Sequence, residues 1–225
     1  MNNLQIMQLC RICKFRYGEL MDARGLRERK KQETRIALSW AAIRLTVERG
    51  YAQVRIEDIA AEAGVSTRTF SNYFGTKGEA IVARHHDRGR AIASALRERP
   101  AGEPIWEAIT AATLAGFALG EPVTEGRVPD PSWLAGIRLM VAEPALQGEF
   151  HKAGAAGEAE IARVVAERTG TDAETDVYPQ LVAGTVAAAL AVVTRQWLGT
   201  ESPRPLEELI REVFGRLAAG LPEPR

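Results

Sequence analysis

The sequence predicts an all-α protein, and three observations predict it. No stretch shows sustained period-two alternation rich in β-branched residues. Ala, Leu, Glu and Arg dominate, and all four are good helix formers. Apolar residues recur at helical spacing: Ile36, Trp40, Ile43 and Val47 lie four, three and four residues apart and make one stripe. The expected architecture is a small N-terminal three-helix domain joined by a long helix to a larger C-terminal helical bundle.

The elements follow from their punctuation. Residues 1–25 lack clear periodicity and read as a loose arm, or as sequence upstream of a start at Met21. A first helix runs from about Leu26 to Arg49 and ends at Gly50. A short helix from Ile56 to Ala63 meets Gly64, where a left-handed backbone costs a glycine little. Ser66 caps the next helix, Thr67 to Phe74, which Gly75 closes. Thr76 and Glu79 have the spacing of a capping box and open a helix to about Arg99. Pro100, Gly102 and Pro104 then break the chain and mark a boundary. Later helices are expected over about 105–119, 131–142, 144–170, 174–198 and 205–219, with GEPVTEGRVPDPS as a loop between the first two.

Charge divides the chain. Residues 1–99 hold 19 Lys/Arg against 11 Asp/Glu, and residues 100–225 hold 10 against 18. One half therefore suits a polyanion and the other does not. Only Cys10 and Cys13 occur, too few for a disulfide framework or a cysteine zinc site, and no strand-helix context makes them a redox pair. Residues 1–20 mix polar and basic residues among short apolar stretches, unlike a signal peptide. The longest apolar run, Leu181 to Val193, has 13 residues against the ~18 that span a bilayer. A cytoplasmic protein without a membrane partner is expected.

The informative stretch is IEDIAAEAGVSTRTFSNYFGTK, Ile56 to Lys77. Two short helices joined by a four-residue turn containing glycine make a helix-turn-helix. Ile56, Ile59 and Ala60 face inward, Ala63 is small at the crossing, Val65 plugs the corner, and Phe70 and Phe74 bury one face of the second helix. The opposite face carries Thr67, Arg68, Ser71 and Asn72. Arginine pairs with a guanine edge and asparagine with an adenine edge, each worth ~1–3 kcal/mol of discrimination. Tyr73 and Lys77 sit where a phosphate strand would pass, and Arg55 and Lys31 are further phosphate candidates.

The passage from Arg35 to Ile81, with its ERGY, IEDIAAEAGVS, TRTFSNYF and following Thr-Lys, resembles the DNA-binding domain of the TetR family of bacterial repressors. Position by position, the resemblance implies that Thr67, Arg68, Ser71 and Asn72 read or approach bases. It implies phosphate contacts for Thr69, Tyr73 and Lys77. Two positions depart from the family pattern: Arg55 stands where threonine is usual, and Ser71 where a bulky aromatic is usual. Further on, RLMVAEPALQGEF and YPQLVAGTVAAALAVVTRQWL resemble an actinobacterial subgroup whose C-terminal domain is of an acyl-CoA-like ligand-binding type and which includes the mycofactocin-system regulators. That resemblance implies a hydrophobic or acyl-thioester effector.

The expected division is thus an arm over 1–25, a DNA-binding domain over 26–80, and a ligand-binding and dimerisation domain over 81–225. Aromatic and neighbouring residues scattered over several helices suit an apolar pocket: Trp106, Phe117, Trp133, Met140, Phe150, Tyr178 and Trp197, with Arg138 or His151 for a polar head group. A homodimer is expected to pack the helix over 174–198 with the last one, where Leu206, Leu209, Ile210, Val213 and Leu217 recur helically. Such a dimer places its reading helices ~34–36 Å apart on a palindromic DNA operator. His85-His86-Asp87 reads as a solvated or phosphate-facing stretch, because adjacent histidines on a helix point about 100° apart and cannot easily share a metal ion. No phosphate loop, nucleophile elbow or His-Glu-x-x-His is present, so a regulator with no cofactor is expected rather than an enzyme. An architectural DNA-binding protein is the alternative, and the acidic C-terminal half argues against it.

Overall fold

The computed structural model describes residues 27, 29–118, 131–199 and 204–223. The arm, the two cysteines and most of the loop after residue 118 lie outside the described residues. Among the described residues the regular elements are all helical: α1 (29–49), α2 (Ile56–Glu62), α3 (Thr67–Ser71), α4 (Lys77–Glu98), α5 (Ile105–Ala118), α6 (Pro131–Ala142), α7 (Pro144–Thr169), α8 (Val177–Leu198) and α9 (Leu206–Ala218). A single 3-10 turn, Tyr51–Gln53, joins α1 to the segment before α2.

Two apolar cores stack along the molecule. The lower one gathers Leu38, Leu45, Ile59, Phe70, Phe74 and Ile81 with Leu146 and Ala153 of α7. The upper one gathers Ile92, Leu96, Ile109, Val165, Val186, Ile210 and Phe214. Helices α4 and α7 run parallel through both. Gly78 lies against Leu146 and Glu149 near their starts, Gly89 meets Gly157 midway, and Arg97 pairs with Glu167 at 2.9 Å near their ends. Arg168 of α7 then satisfies orphan carbonyls at the C-terminus of α4, donating to Arg99 and Pro100 at 2.8 Å each. The long helix that the sequence suggests, α4, thus joins the two cores, with α7 running beside it.

The first helix is buried over a wider face than the sequence marks. Its most buried residues are Leu38, Ser39, Ala41, Ala42 and Leu45, all at most 2% exposed. The predicted stripe joins the lower core at its edge: Ile43 is buried in it and Trp40 and Val47 pack against it, while Trp40 and Ile43 also line a cavity and a Cβ on Gly136 of α6 would sit 2.8 Å from the Val47 carbonyl oxygen. Helix α1 is thus sandwiched between the two short helices and the C-terminal bundle. In the last helix Leu209 and Ile210 are buried within their own chain, Leu206, Val213 and Leu217 pack beside them, and the outward side of α9 carries Glu207–Arg211 and Glu212–Arg216 pairs.

Helix α8 is long and apolar enough in length and composition to cross a bilayer, more so than its uninterrupted apolar run suggests. Here it packs on α7 and α9, with Val182, Ala183, Val186 and Val193 buried. Its first turns expose Val177, Tyr178 and Leu181.

Candidate functional site

The helix-turn-helix is built by local bonding. Gly64, at φ 69°, ends α2: its N–H donates to Ala61, and the Val65 N–H reaches back to Ala60 at 2.9 Å. Ser66 opens α3, its Oγ accepting from Thr69 N–H at 3.1 Å. Asp58 accepts from the Arg55 N–H at 3.0 Å, so the acidic residue of α2 closes that helix's own start. Helix α3 ends at Ser71, three residues earlier than its sequence suggests, and Asn72 caps it. Phe70 is fully buried and Phe74 nearly so, with ring centroids 5.8 Å apart. Truncating either to alanine would cost about 3–5 kcal/mol. Those two rings press α3 inward, and Thr67, Arg68, Ser71 and Asn72 stand exposed together on its other side. Thr69 is half-buried with its hydroxyl on Ser66, Tyr73 is half-buried against the lower core, and Arg55 is exposed.

Lys77 is more engaged than its sequence position implies. Its ammonium donates to the carbonyls of Tyr51 and Val54 at 2.7 and 2.9 Å and lies 4.1 Å from the Tyr51 ring centre. Two of its three N–H donors therefore tie the start of α4 to the segment between α1 and α2. The capping box also differs in detail. Thr76 accepts from Glu79 N–H, but the Glu79 carboxylate turns to Gly75 N–H at 2.7 Å rather than to Thr76. A second tie links α1 to α4: Arg35 forms an ion pair with Asp87 while its guanidinium lies 5.3 Å from the Phe74 ring centre.

Above this domain lies a cavity of about 880 Å³. Its walls come from α1 and from α4 through α9, so both domains contribute. Phe117, Arg138, Met140, Phe150 and Trp197 are brought together on its lining. Trp106 packs on the upper core and Tyr178 faces outward, so neither joins them; His151 is exposed on α7 outside the lining. The Trp133 side chain lies outside the described residues. The sequence reading missed Trp40, Arg84, His85 and Arg88, all on the lining. In the His-His-Asp stretch, His85 keeps exposed surface but stands on the cavity lining with its ring edge-on to Phe150 at 5.7 Å, and Asp87 is held by Arg35. Burial, then Arg88 and His86, push His85 down to about 4, so it is neutral at ordinary pH. Burial, then Arg84, lower Arg88 to about 10, where it keeps its charge.

Residues 40–83 match the model of bacterial regulatory proteins of the tetR family, and residues 103–222, more than half of the chain, match the MftR C-terminal domain. The transcriptional regulator TcmR of Streptomyces glaucescens is 33% identical over 77% of this chain and 76% of its own. A Mycobacterium tuberculosis protein named for a proposed role as mycofactocin biosynthesis transcriptional regulator, MftR, is 28% identical over 86% and 93%. A crystal structure from Rhodococcus sp., described as a TetR-family regulator, shares the fold with a TM-score of 0.53 and 22% identity, over 85% of this chain and all of that one.

Proposed function

Because the chain belongs to the TetR family of bacterial transcriptional regulators, with a C-terminal domain of the mycofactocin-regulator type, we propose that it is a repressor released from a palindromic operator by a small effector. The observation that carries this reading is the reach of the cavity. One chamber is lined by α1, which packs under the reading helix, and by α4, whose first residue touches the segment leading into α2.

The chemistry follows in order. Exposed Thr67, Arg68, Ser71 and Asn72 enter a major groove and read base edges, while Arg55, Thr69, Tyr73 and Lys77 meet the backbone. Homodimers are typical of the family; here a second copy would cover Val177, Tyr178 and Leu181 of α8, setting two reading helices one DNA turn apart. The cavity volume lies within the ~300–1,000 Å³ of drug-sized sites. Its lining suits an effector with an apolar body, and an acyl-CoA-like effector would lay its acyl chain there. Filling it moves the α4–α7 pair, ~33 Å long on the α4 side, and so changes the separation of the reading heads. The protein acts beside the chromosome, in the cytoplasm, and turns over no substrate.

Footprinting on the DNA flanking the protein's own gene, repeated with acyl thioesters and other apolar candidates, tests this. A protected inverted repeat that is lost with one effector class is expected. Protection that no small molecule relieves would favour the architectural reading.

A further inference from the structure

We propose, taking the cavity to be the effector site, that Glu158 of α7 selects the effector by accepting a hydrogen bond from a donor group on an otherwise apolar body. The pattern of the helix marks it out. Phe150, Ala153, Gly154, Gly157 and Ile161 recur at helical spacing and form the face that α7 turns to the chamber. Glu158 lies on that face and is its one charged member among the described residues. The other carboxylates of α7 are paired: Glu149 with Lys152 at 3.2 Å, Glu160 with Arg163 at 2.8 Å and Glu167 with Arg97 at 2.9 Å. Glu158 has no ion pair or hydrogen bond with any described residue. Its helical neighbours offer none: one turn away on either side stand Gly154, Ala155, Ile161 and Ala162, all uncharged.

A carboxylate on an apolar wall needs a hydrogen-bond donor, and a ligand that displaces water there must supply it. A plain hydrocarbon body leaves the oxygens without one. A hydroxyl or an amine gives a charge-assisted hydrogen bond. An unsubstituted acyl chain is thereby disfavoured, and the proposed effector class narrows to apolar molecules that carry such a donor. The fold makes room for the carboxylate. Gly184 of α8 stands across from it, and a Cβ there would lie 3.3 Å from the Glu158 Oε1, tighter than an ordinary contact. The position also has reach. Glu158 follows Gly157, whose backbone meets Gly89 of α4. A ligand held by Glu158 therefore acts on α7 one residue from its contact with the helix that leads to the DNA-binding domain.

The test uses three fluorescent probes that share the apolar body of pyrene: 1-hydroxypyrene and pyrenemethylammonium carry a donor, and 1-methoxypyrene carries none. Each is titrated into the full-length protein, alone and bound to its operator. At least one donor probe should bind about tenfold or more tightly than methoxypyrene, the equivalent of one charged hydrogen bond. The preferred one tells a hydroxyl from an ammonium. In Glu158→Leu the preference should collapse towards one. In Glu158→Gln, whose amide oxygen still accepts, a hydroxyl preference should shrink and an ammonium preference should disappear. Circular dichroism melts establish that each variant is folded, and Glu158→Gln, which keeps the shape, decides alone where Glu158→Leu does not fold. Equal binding of the three probes, binding of none, or a preference unchanged in a folded variant would overturn the proposal. The two readings separate cleanly. Equal binding with release of DNA removes the role of Glu158 and keeps the effector site. A donor preference that depends on Glu158 but leaves DNA bound keeps the role of Glu158 and removes that of the effector.

Discussion

Gly89 of α4 and Gly157 of α7 cross with no side chain between them: a Cβ on Gly89 would lie 3.0 Å from the Gly157 Cα, and one on Gly157 would lie 3.3 Å from the Gly89 Cα. The two helices that link the cores are therefore in backbone contact at the level of the cavity, which both glycines line. Because the neighbour is backbone, no rotamer change relieves an added methyl. Gly89→Ala gains about 0.8–1.0 kcal/mol of helix propensity but incurs about 1–3 kcal/mol of overpacking. A net loss is expected. Gly148, exposed on the same α7 with nothing within 4 Å of a built Cβ, is the control, and Gly148→Ala should stabilise. Thermal melts compare them, at roughly 2–4 °C per kcal/mol for a chain of this size.

The proposed base reading by α3 predicts a change of preference rather than a uniform loss. Arg68→Ala and Asn72→Ala should each relax selectivity at particular base pairs by ~1–3 kcal/mol, read by competition among operator variants. Affinity lost equally for every sequence would reassign the residue to the phosphate backbone.

Lys77 should show two separable effects. Removing its bonds to Tyr51 and Val54 leaves two carbonyls short of a charged donor, so Lys77→Ala should lower the melting temperature, at about 1.5–3 kcal/mol for a charged hydrogen bond. In the proposed complex its third N–H meets a phosphate, and loss of that contact should reduce the slope of log affinity against log salt by about 0.9. A lower melting point with an unchanged slope would confine Lys77 to the domain interior.

His85 predicts a pH window. Its folded value of about 4 lies below the ordinary 6.5 of the unfolded chain. Between those values the unfolded chain takes up a proton that the folded one refuses. The stability contribution is therefore complete above 6.5, declines as pH falls through the window, and levels off below about 4. Between pH 7.5 and 4 the urea midpoint of wild type should fall relative to that of His85→Gln. A constant difference would show that His85 does not titrate against folding.

Much of this molecule is legible in its sequence because the helix ends are marked locally. Gly50, Gly64 and Gly170 sit at positive φ where α1, α2 and α7 stop, and Pro144 opens α7. The exposed face of α3 is legible because Phe70 and Phe74, four apart, fix which side of the helix is out. What the sequence does not state is which partner each helix face meets. The stripe Ile36, Trp40, Ile43, Val47 and the seam Leu38, Ala41, Ala42, Leu45 are both apolar, and only packing shows that the seam lies deepest in the lower core, with Ile43 of the stripe buried beside it. The run Arg84-His85-His86-Asp87-Arg88 has the composition of a solvated helix face. It becomes a cavity wall because α6, α7 and α8 close over it, which residues far along the chain decide. Trp106 and Tyr178 have the right chemistry for a pocket but stand on the wrong sides of α5 and α8.

The most direct test of the account is the affinity of one effector for the free protein and for the operator-bound protein. Linkage requires that whatever releases DNA binds the two forms unequally, and near-complete switching needs a ratio of about 10⁴, or ~5.5 kcal/mol. The account predicts markedly tighter binding to the free protein, and a release of DNA of matching size. Equal affinity for the two forms would contradict it.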